Sequence, residues 1–373
     1  MLNALQEFLG WSIYAIPAFV FLITVVVFFH ELGHFSVARL FNVRVETFSI
    51  GFGRPLVSWT DRKGTLWKIS WLPLGGFVKF FGDADGASTP DREAAARMSP
   101  QDRSVAFPFK PLWQRALIVL AGPVANFVLA LVILSGLYML YGHAVEPPAV
   151  IATVQPHSAA AEAGIKPGDR IVAVDGTDIA TFTDMAQIVA LSAGQRLPVV
   201  VARGGHSLTL YATPREVQDK DRFGNKIRVG RLGITGRAIT GFARLGPVQA
   251  VGAAATEIGD IVSMSFRART QLLRGNTSQL AGPVGILKLS GQVAAVSIVL
   301  LIHVIALLSV SIGLVNLFPI PLLDGGHLLY YACEGVLGRP LGERAQDVGF
   351  RVGLAVVAGI FILATWNDLL NLF

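Results

Sequence analysis

The sequence predicts a polytopic α-helical membrane protein with about four transmembrane helices, a membrane-associated β-hairpin region and one extracytoplasmic α/β insert. Three observations predict it. Of the 373 residues 53% are hydrophobic and only 15% charged, an apolar excess for a soluble chain. Four windows, about 8–29, 115–140, 293–317 and 350–372, reach or approach the roughly 20 residues that a spanning helix needs. Between the second and third windows lies a long stretch patterned as short strands and helices.

The first window lacks a small-residue cleavage site and runs into Glu31 and His34, so it is expected to be a retained helix. Arg39, Arg44, Lys110 and Arg115 flank the first connection and Arg339, Arg344 and Arg351 the last, whereas residues 1–10 and 366–373 hold no Lys or Arg. Basic residues stay on the cytoplasmic side, so both termini and the segment 143–290 are expected outside, with Lys288 as an exception near a helix end. The net charge of +6 sits in these flanks and loops, which suits a lipid bilayer with anionic headgroups. No nucleic-acid-binding motif occurs, and none is expected as a partner. Cys333 is the only cysteine, so an intrachain disulfide and a Cys-rich zinc site are excluded.

Residues 24–40, TVVVFFHELGHFSVARL, put ionisable groups at the cytoplasmic edge of the hydrocarbon. His30 and His34 share a helix face, and Glu31 lies about 100° round from His30. This is the HExxH spacing, in which two imidazoles hold one zinc ion and the carboxylate reaches the water activated there. A catalytic zinc site needs a third protein ligand. The stretch VNLFPIPLLDGGHLLYYACEG, residues 315–335, closes the third apolar run at the same depth. Asp324 there is either that ligand or the N-cap of the following helix. His327 competes as a ligand, and His303 is expected to be packed or hydrogen-bonded. Asn316 either donates to a substrate backbone or makes an interhelical contact.

Residues 43–112 include FSIGFGRPLVSWTDRKGTLWKISWLPLGGFVKF, alternating apolar and polar residues between turn signals, which predicts hairpins dipping into the membrane edge. GDADGASTPDREAAARMSPQDRSVAF is expected to be a loop ending in a surface helix. Residues 148–214 read as a compact α/β domain, and 215–290 as a strand pair followed by an amphipathic helix.

HELGH, LAGPVANFVLA (120–130) and NLFPIPLLDGG (316–326) together resemble the site-2 protease family of intramembrane zinc metalloproteases. The single extracytoplasmic insert resembles its bacterial regulator-of-sigma-E protease branch in single-PDZ form, and PHSAAAEAGIKPGDRIVAVDGTDI resembles a PDZ domain of bacterial proteases. The resemblance implies His30, His34 and Asp324 as ligands of Zn2+, Glu31 as catalytic acid/base and Asn316 as a substrate contact. It divides the chain into transmembrane helix 1 (1–42), a re-entrant β-loop region (43–112), helix 2 (113–142), a PDZ-like domain (143–214), the strand pair and helix (215–290), helix 3 with the NxxPxPxLDG segment (291–349) and helix 4 (350–373). The implied substrates are single-spanning membrane proteins, such as anti-sigma factors or signal-peptide remnants, first trimmed by an upstream site-1 protease. The implied location is the bacterial inner membrane, with the active site near the cytoplasmic side. The PDZ-like domain would bind peptide beside the strand at 149–154 or act as a size filter. A metal-ion transporter and a scaffold with structural zinc are the rival readings.

Overall fold

The computed structural model describes residues 2–83, 97–144, 148–220, 226–236, 241–272 and 282–370. Four helical stretches, Ser12–Leu40, Leu112–Leu140, Ile298–Asn316 and Arg344–Leu369, are long and apolar enough to cross a membrane. The first helix, α1 (Leu2–Leu40), continues about three turns beyond the apolar window. It does so because its far end has something to cover. Phe28, Leu32, Phe35 and buried Ala38 pack on one cluster with Phe48, Val78 and Ile118. Arg39 occupies the last turn, where a cation suits the carbonyl end, and Asn42 leaves the helix at φ 55°.

The hairpin region forms as expected, from β1 (Val45–Thr60) and β2 (Leu66–Phe80), each folded back on itself. Residues 45–50 pair with 76–80, residues 55–60 pair with 66–70, and 47–50 also lie beside 66–69. The outer strands of this small sheet are therefore 55–60 and 76–80. Gly75 makes one of the folds at φ 100°, a conformation that a side chain would strain. Trp67 stacks on Phe48 at 4.3 Å and meets Phe35 edge-on at 5.1 Å, fixing the inner face to α1. Leu56, Val57, Trp59, Ile69, Trp71 and Leu72 remain exposed, an apolar surface that suits a membrane edge. Of the polar loop, residues 84–96 lie outside the described residues; α2 (Pro100–Val105) follows, its Asp102 N–H donating to the Ser99 hydroxyl at 3.1 Å. The second spanning helix is α3 (Leu112–Leu140).

The chain divides into two compact units, one of them formed by Gly136–Ala250, Ser263–Gly282 and Trp366–Phe373. Within it, β3 (His143–Ala144) is followed by β4 (Ile151–Val154), the short helix α4 (Ala159–Glu162), β5 (Arg170–Val174) and β6 (Thr177–Asp178). Then come α5 (Phe182–Leu191), β7 (Leu197–Arg203), β8 (His206–Ala212), β9 (Arg215–Lys220), β10 (Lys226–Arg231), β11 (Ile234–Gly236) and β12 (Phe242–Ala243). β5 to β8 form a sheet in the order β6–β5–β7–β8 with antiparallel neighbours. Its apolar face meets Met185 and Val189 of α5, whose first turn is closed by reciprocal bonds between Thr181 and Asp184.

Two expectations change here. The strand at 149–154 is not an open edge: on one side residues 149 and 151 bond to 168, 169 and 171, and on the other β4 pairs with β11. The domain also does not close at residue 214, because buried Leu232 and half-buried Ile234 belong to the same core as Ile151, Ile171 and Val199. The expected strand pair forms as β9 and β10, and it returns the chain to that core, a packing that no local pattern in residues 215–236 announces.

Asp169 ties the unit together. Both of its carboxylate oxygens accept from Arg203 at 2.7 Å, and the Lys166 N–H donates to it at 2.8 Å. The Arg203 guanidinium holds this carboxyl below the usual carboxylate range. A folded-state value below the unfolded one, about 3.9, stabilises above that pH and ceases to stabilise as pH falls through the folded value. Protection against hydrogen exchange at the amides of Ile171 and Val201, the rate in the unfolded chain divided by the rate in the folded protein, should therefore fall below about pH 4. In Asp169→Asn the protection should already be lower at pH 7 and lose that acid-dependent step; an unchanged pH profile would refute the assignment.

The remaining helices are α6 (Pro247–Leu272), α7 (Pro283–Val296), α8 (Ile298–Asn316), α9 (Asp324–Leu337) and α10 (Glu343–Leu370). The third apolar window is thus two helices, parted at Ser297, whose hydroxyl accepts the Val299 N–H at 3.2 Å. Leu22 and Val26 of α1 pack on Val293, Leu301 and Ile305. His303 faces Glu257 of α6 at 3.7 Å, in keeping with a packed polar role.

Candidate metal centre

One helical turn brings the His30 and His34 Nε2 atoms to 3.2 Å from each other. Asp324 completes a triangle, its oxygens 3.2 Å from His30 Nε2 and 3.5 Å from His34 Nε2. Among the described residues this is the group of His, Cys, Asp or Glu side chains whose donor atoms converge, all within 4.8 Å. His327 is not part of it. The other candidate role of Asp324 does not occur: it is the first residue of α9, Leu323 is the cap, and no side chain bonds there.

The separations fit a tetrahedral ion. Bonds of about 2.0–2.1 Å at tetrahedral angles put ligand atoms roughly 3.3–3.4 Å apart. The proton positions fit as well. His34 Nδ1 lies 2.9 Å from the Ile118 carbonyl, which can only accept, so Nδ1 carries the proton and Nε2 presents a lone pair to the centre. Two nitrogens and one carboxylate oxygen, with a further position open, are the donor set of a catalytic zinc site.

Glycines let the backbones approach. A Cβ at Gly33 would strike the Ala121 carbonyl of α3, and one at Gly122 would strike the His34 ring, so these two positions allow α1 and α3 to close around the histidines. The glycines after Asp324 act similarly: a side chain at Gly325 would meet the backbone of Leu317 and Phe318, and one at Gly326 that of Ile320 and Pro321. The loop from α8 folds tightly under the start of α9, and Leu322 is driven to φ 105°, a strained conformation for a leucine. The DGG run is therefore a packing requirement as well as a source of a ligand.

Glu31 is half-buried beside this triangle, its carboxyl facing the backbone of Val78 on the outer strand 76–80. Gly76 permits the contact, since its Cβ would lie 3.2 Å from Glu31 Cγ. Asn316 ends α8, half-buried, with no place in the donor group. Asn126, to which no motif assigns a role, is fully buried on α3 with its amide Nδ2 3.3 Å from His30 Nδ1. Its signal was an amide amid the apolar residues of LAGPVANFVLA.

The profile of peptidase family M50 matches residues 18–360, which include all of these positions. The chain is 43% identical, over 100% of both sequences, to a protein of Agrobacterium fabrum provisionally named a zinc metalloprotease. A Rhizobium meliloti protein with the same provisional name is 45% identical over 96% of this chain and 97% of its own. Metalloprotease MmpA of Caulobacter vibrioides is 39% identical over 94% of each.

Proposed function

The chain belongs to peptidase family M50 and is a zinc metalloprotease whose described residues include four helices long and apolar enough to cross a membrane, and from that premise we propose that it hydrolyses a peptide bond within or near the transmembrane segment of single-spanning proteins after their outer domains have been trimmed. One observation carries the proposal: His30, Glu31 and His34 lie on a helix apolar enough to span a membrane. Ionisable groups at such depth are costly, and a soluble protease would have no use for them there.

Zinc held by His30, His34 and Asp324 would supply Lewis acidity and make a water acidic enough to react near neutral pH. Glu31 takes a proton from the attacking water and returns it to the leaving nitrogen. The Val78 backbone and Gly76 of the outer strand border the Glu31 side chain and limit its movement between the two transfers. Asn316 contacts the substrate backbone. A peptide bond inside an intact helix is shielded, so the substrate is drawn out as a strand along residues 76–80, beside Glu31. The basic flanks Arg39, Arg44, Lys110 and Arg115 support an inner-membrane topology with both termini and the insert periplasmic and the site near the cytoplasmic side.

The PDZ-like insert then serves as a size filter. A second reading is favoured by a cavity of about 550 Å3 lined by Phe182, Met185, Val189, Leu232, Ile234 and Thr235, which could take an extended peptide beside β11 instead of β4. The test uses reconstituted enzyme and matched reporters, one with a bulky outer domain and one pre-trimmed. Intact enzyme should cut only the trimmed reporter, inside its transmembrane segment, and a chelator should stop it until zinc is restored. Excising residues 148–236 should let a filter-less enzyme cut both reporters, whereas loss of a recruiting groove should slow both. Cleavage confined to the outer domain would refute intramembrane proteolysis.

A further inference from the structure

We propose that Asn126 is a positioning residue which fixes the orientation and proton of His30 so that its Nε2 faces the metal. The inference rests on the assignment of His30 as a ligand and goes beyond it. Asn126 is fully buried in α3, and its backbone carbonyl accepts the Ser309 hydroxyl of α8 at 2.9 Å. The side chain thus projects from a segment pinned between two helices. Gly313 of α8 is close enough that a Cβ there would lie 3.2 Å from Asn126 Cβ. The amide, its Nδ2 3.3 Å from His30 Nδ1, has little room to move away.

The two histidines need equivalent treatment. His34 has a carbonyl, Ile118, to hold the proton on Nδ1. Among the described residues His30 has the Asn126 amide; the structure places its NH2 toward Nδ1, but the amide oxygen has nearly the same shape and takes that place when the amide turns over. With the NH2 toward Nδ1, the His30 proton would sit on Nε2, pointing at His34 Nε2 and Asp324, and that nitrogen could not bind an ion. With the oxygen toward it, Nδ1–H donates to Oδ1, and Nε2 presents its lone pair beside that of His34. Two such lone pairs at 3.2 Å repel unless a cation lies between them. The amide oxygen, otherwise buried without a hydrogen bond, is the acceptor this arrangement needs.

The experiment compares Asn126→Asp, Asn126→Leu and His30→Ala in the full-length protein. The readouts are zinc affinity by chelator competition, the visible spectrum of the cobalt-substituted protein, and thermal unfolding of the metal-free protein. Asn126→Asp keeps an acceptor and no donor, so it should bind zinc within about 3-fold of wild type with the same cobalt spectrum. Asn126→Leu should unfold near the wild-type temperature without metal yet bind zinc about 10- to 100-fold more weakly, with an altered spectrum. Wild-type affinity in Asn126→Leu, or an aspartate variant as weak as leucine, would overturn the proposal. Should Asn126→Asp fail to fold, the leucine variant alone decides. Wild-type zinc binding in His30→Ala would overturn the ligand assignment, an outcome separate from loss of the Asn126 effect alone.

Discussion

Replacing Glu31 with Gln should leave zinc bound and remove nearly all peptide hydrolysis. Both imidazoles and Asp324 survive the change, and the amide fills the same volume against Gly76 and Val78. What is lost is a base: an amide cannot take the proton of the attacking water or return one to the leaving nitrogen. General acid–base catalysis by one positioned group contributes about 10^2- to 10^4-fold, so the rate on a pre-trimmed reporter should fall within or beyond that range. Metal content measured on the same preparation separates this from loss of zinc. A variant that keeps more than a tenth of the wild-type rate would remove Glu31 from the mechanism, and one that loses zinc would make it a ligand instead.

Asp324→Ala should lose zinc, with affinity at least about 100-fold lower, and His30→Ala and His34→Ala should match it. Asp324 is the most informative of the three. The carboxylate makes no capping bond, so its removal should cost α9 less than the roughly 1 kcal/mol that loss of a helix cap brings. Unfolding of the metal-free variant should therefore stay near wild type while zinc binding collapses. Full zinc occupancy in Asp324→Ala would discard it as a ligand and leave His327 as the next candidate.

The sequence by itself determined a good deal. Long apolar runs have one stable form in hydrocarbon, so the spanning helices were legible wherever length sufficed. A turn of helix puts residues four apart on one face, so HELGH already contained the convergence of His30 and His34. Residues 43–80 alternated strongly enough to show a sheet. What local pattern left open was every contact between segments distant in the chain. Asp324 as a cap and Asp324 as a ligand look alike in sequence, and only the tight loop through Leu322, packed on Gly325 and Gly326, carries it 3.2 Å from His30. The return of residues 229–236 to the insert's core, and with it the covering of β4, depends on a hairpin whose residues are mostly polar and exposed. Asn126 needed α1, α3 and α8 together before its neighbour could be known. In each case the deciding energy is close packing or hydrogen bonding between elements, which has no period along the chain, and so only the tertiary structure could decide it.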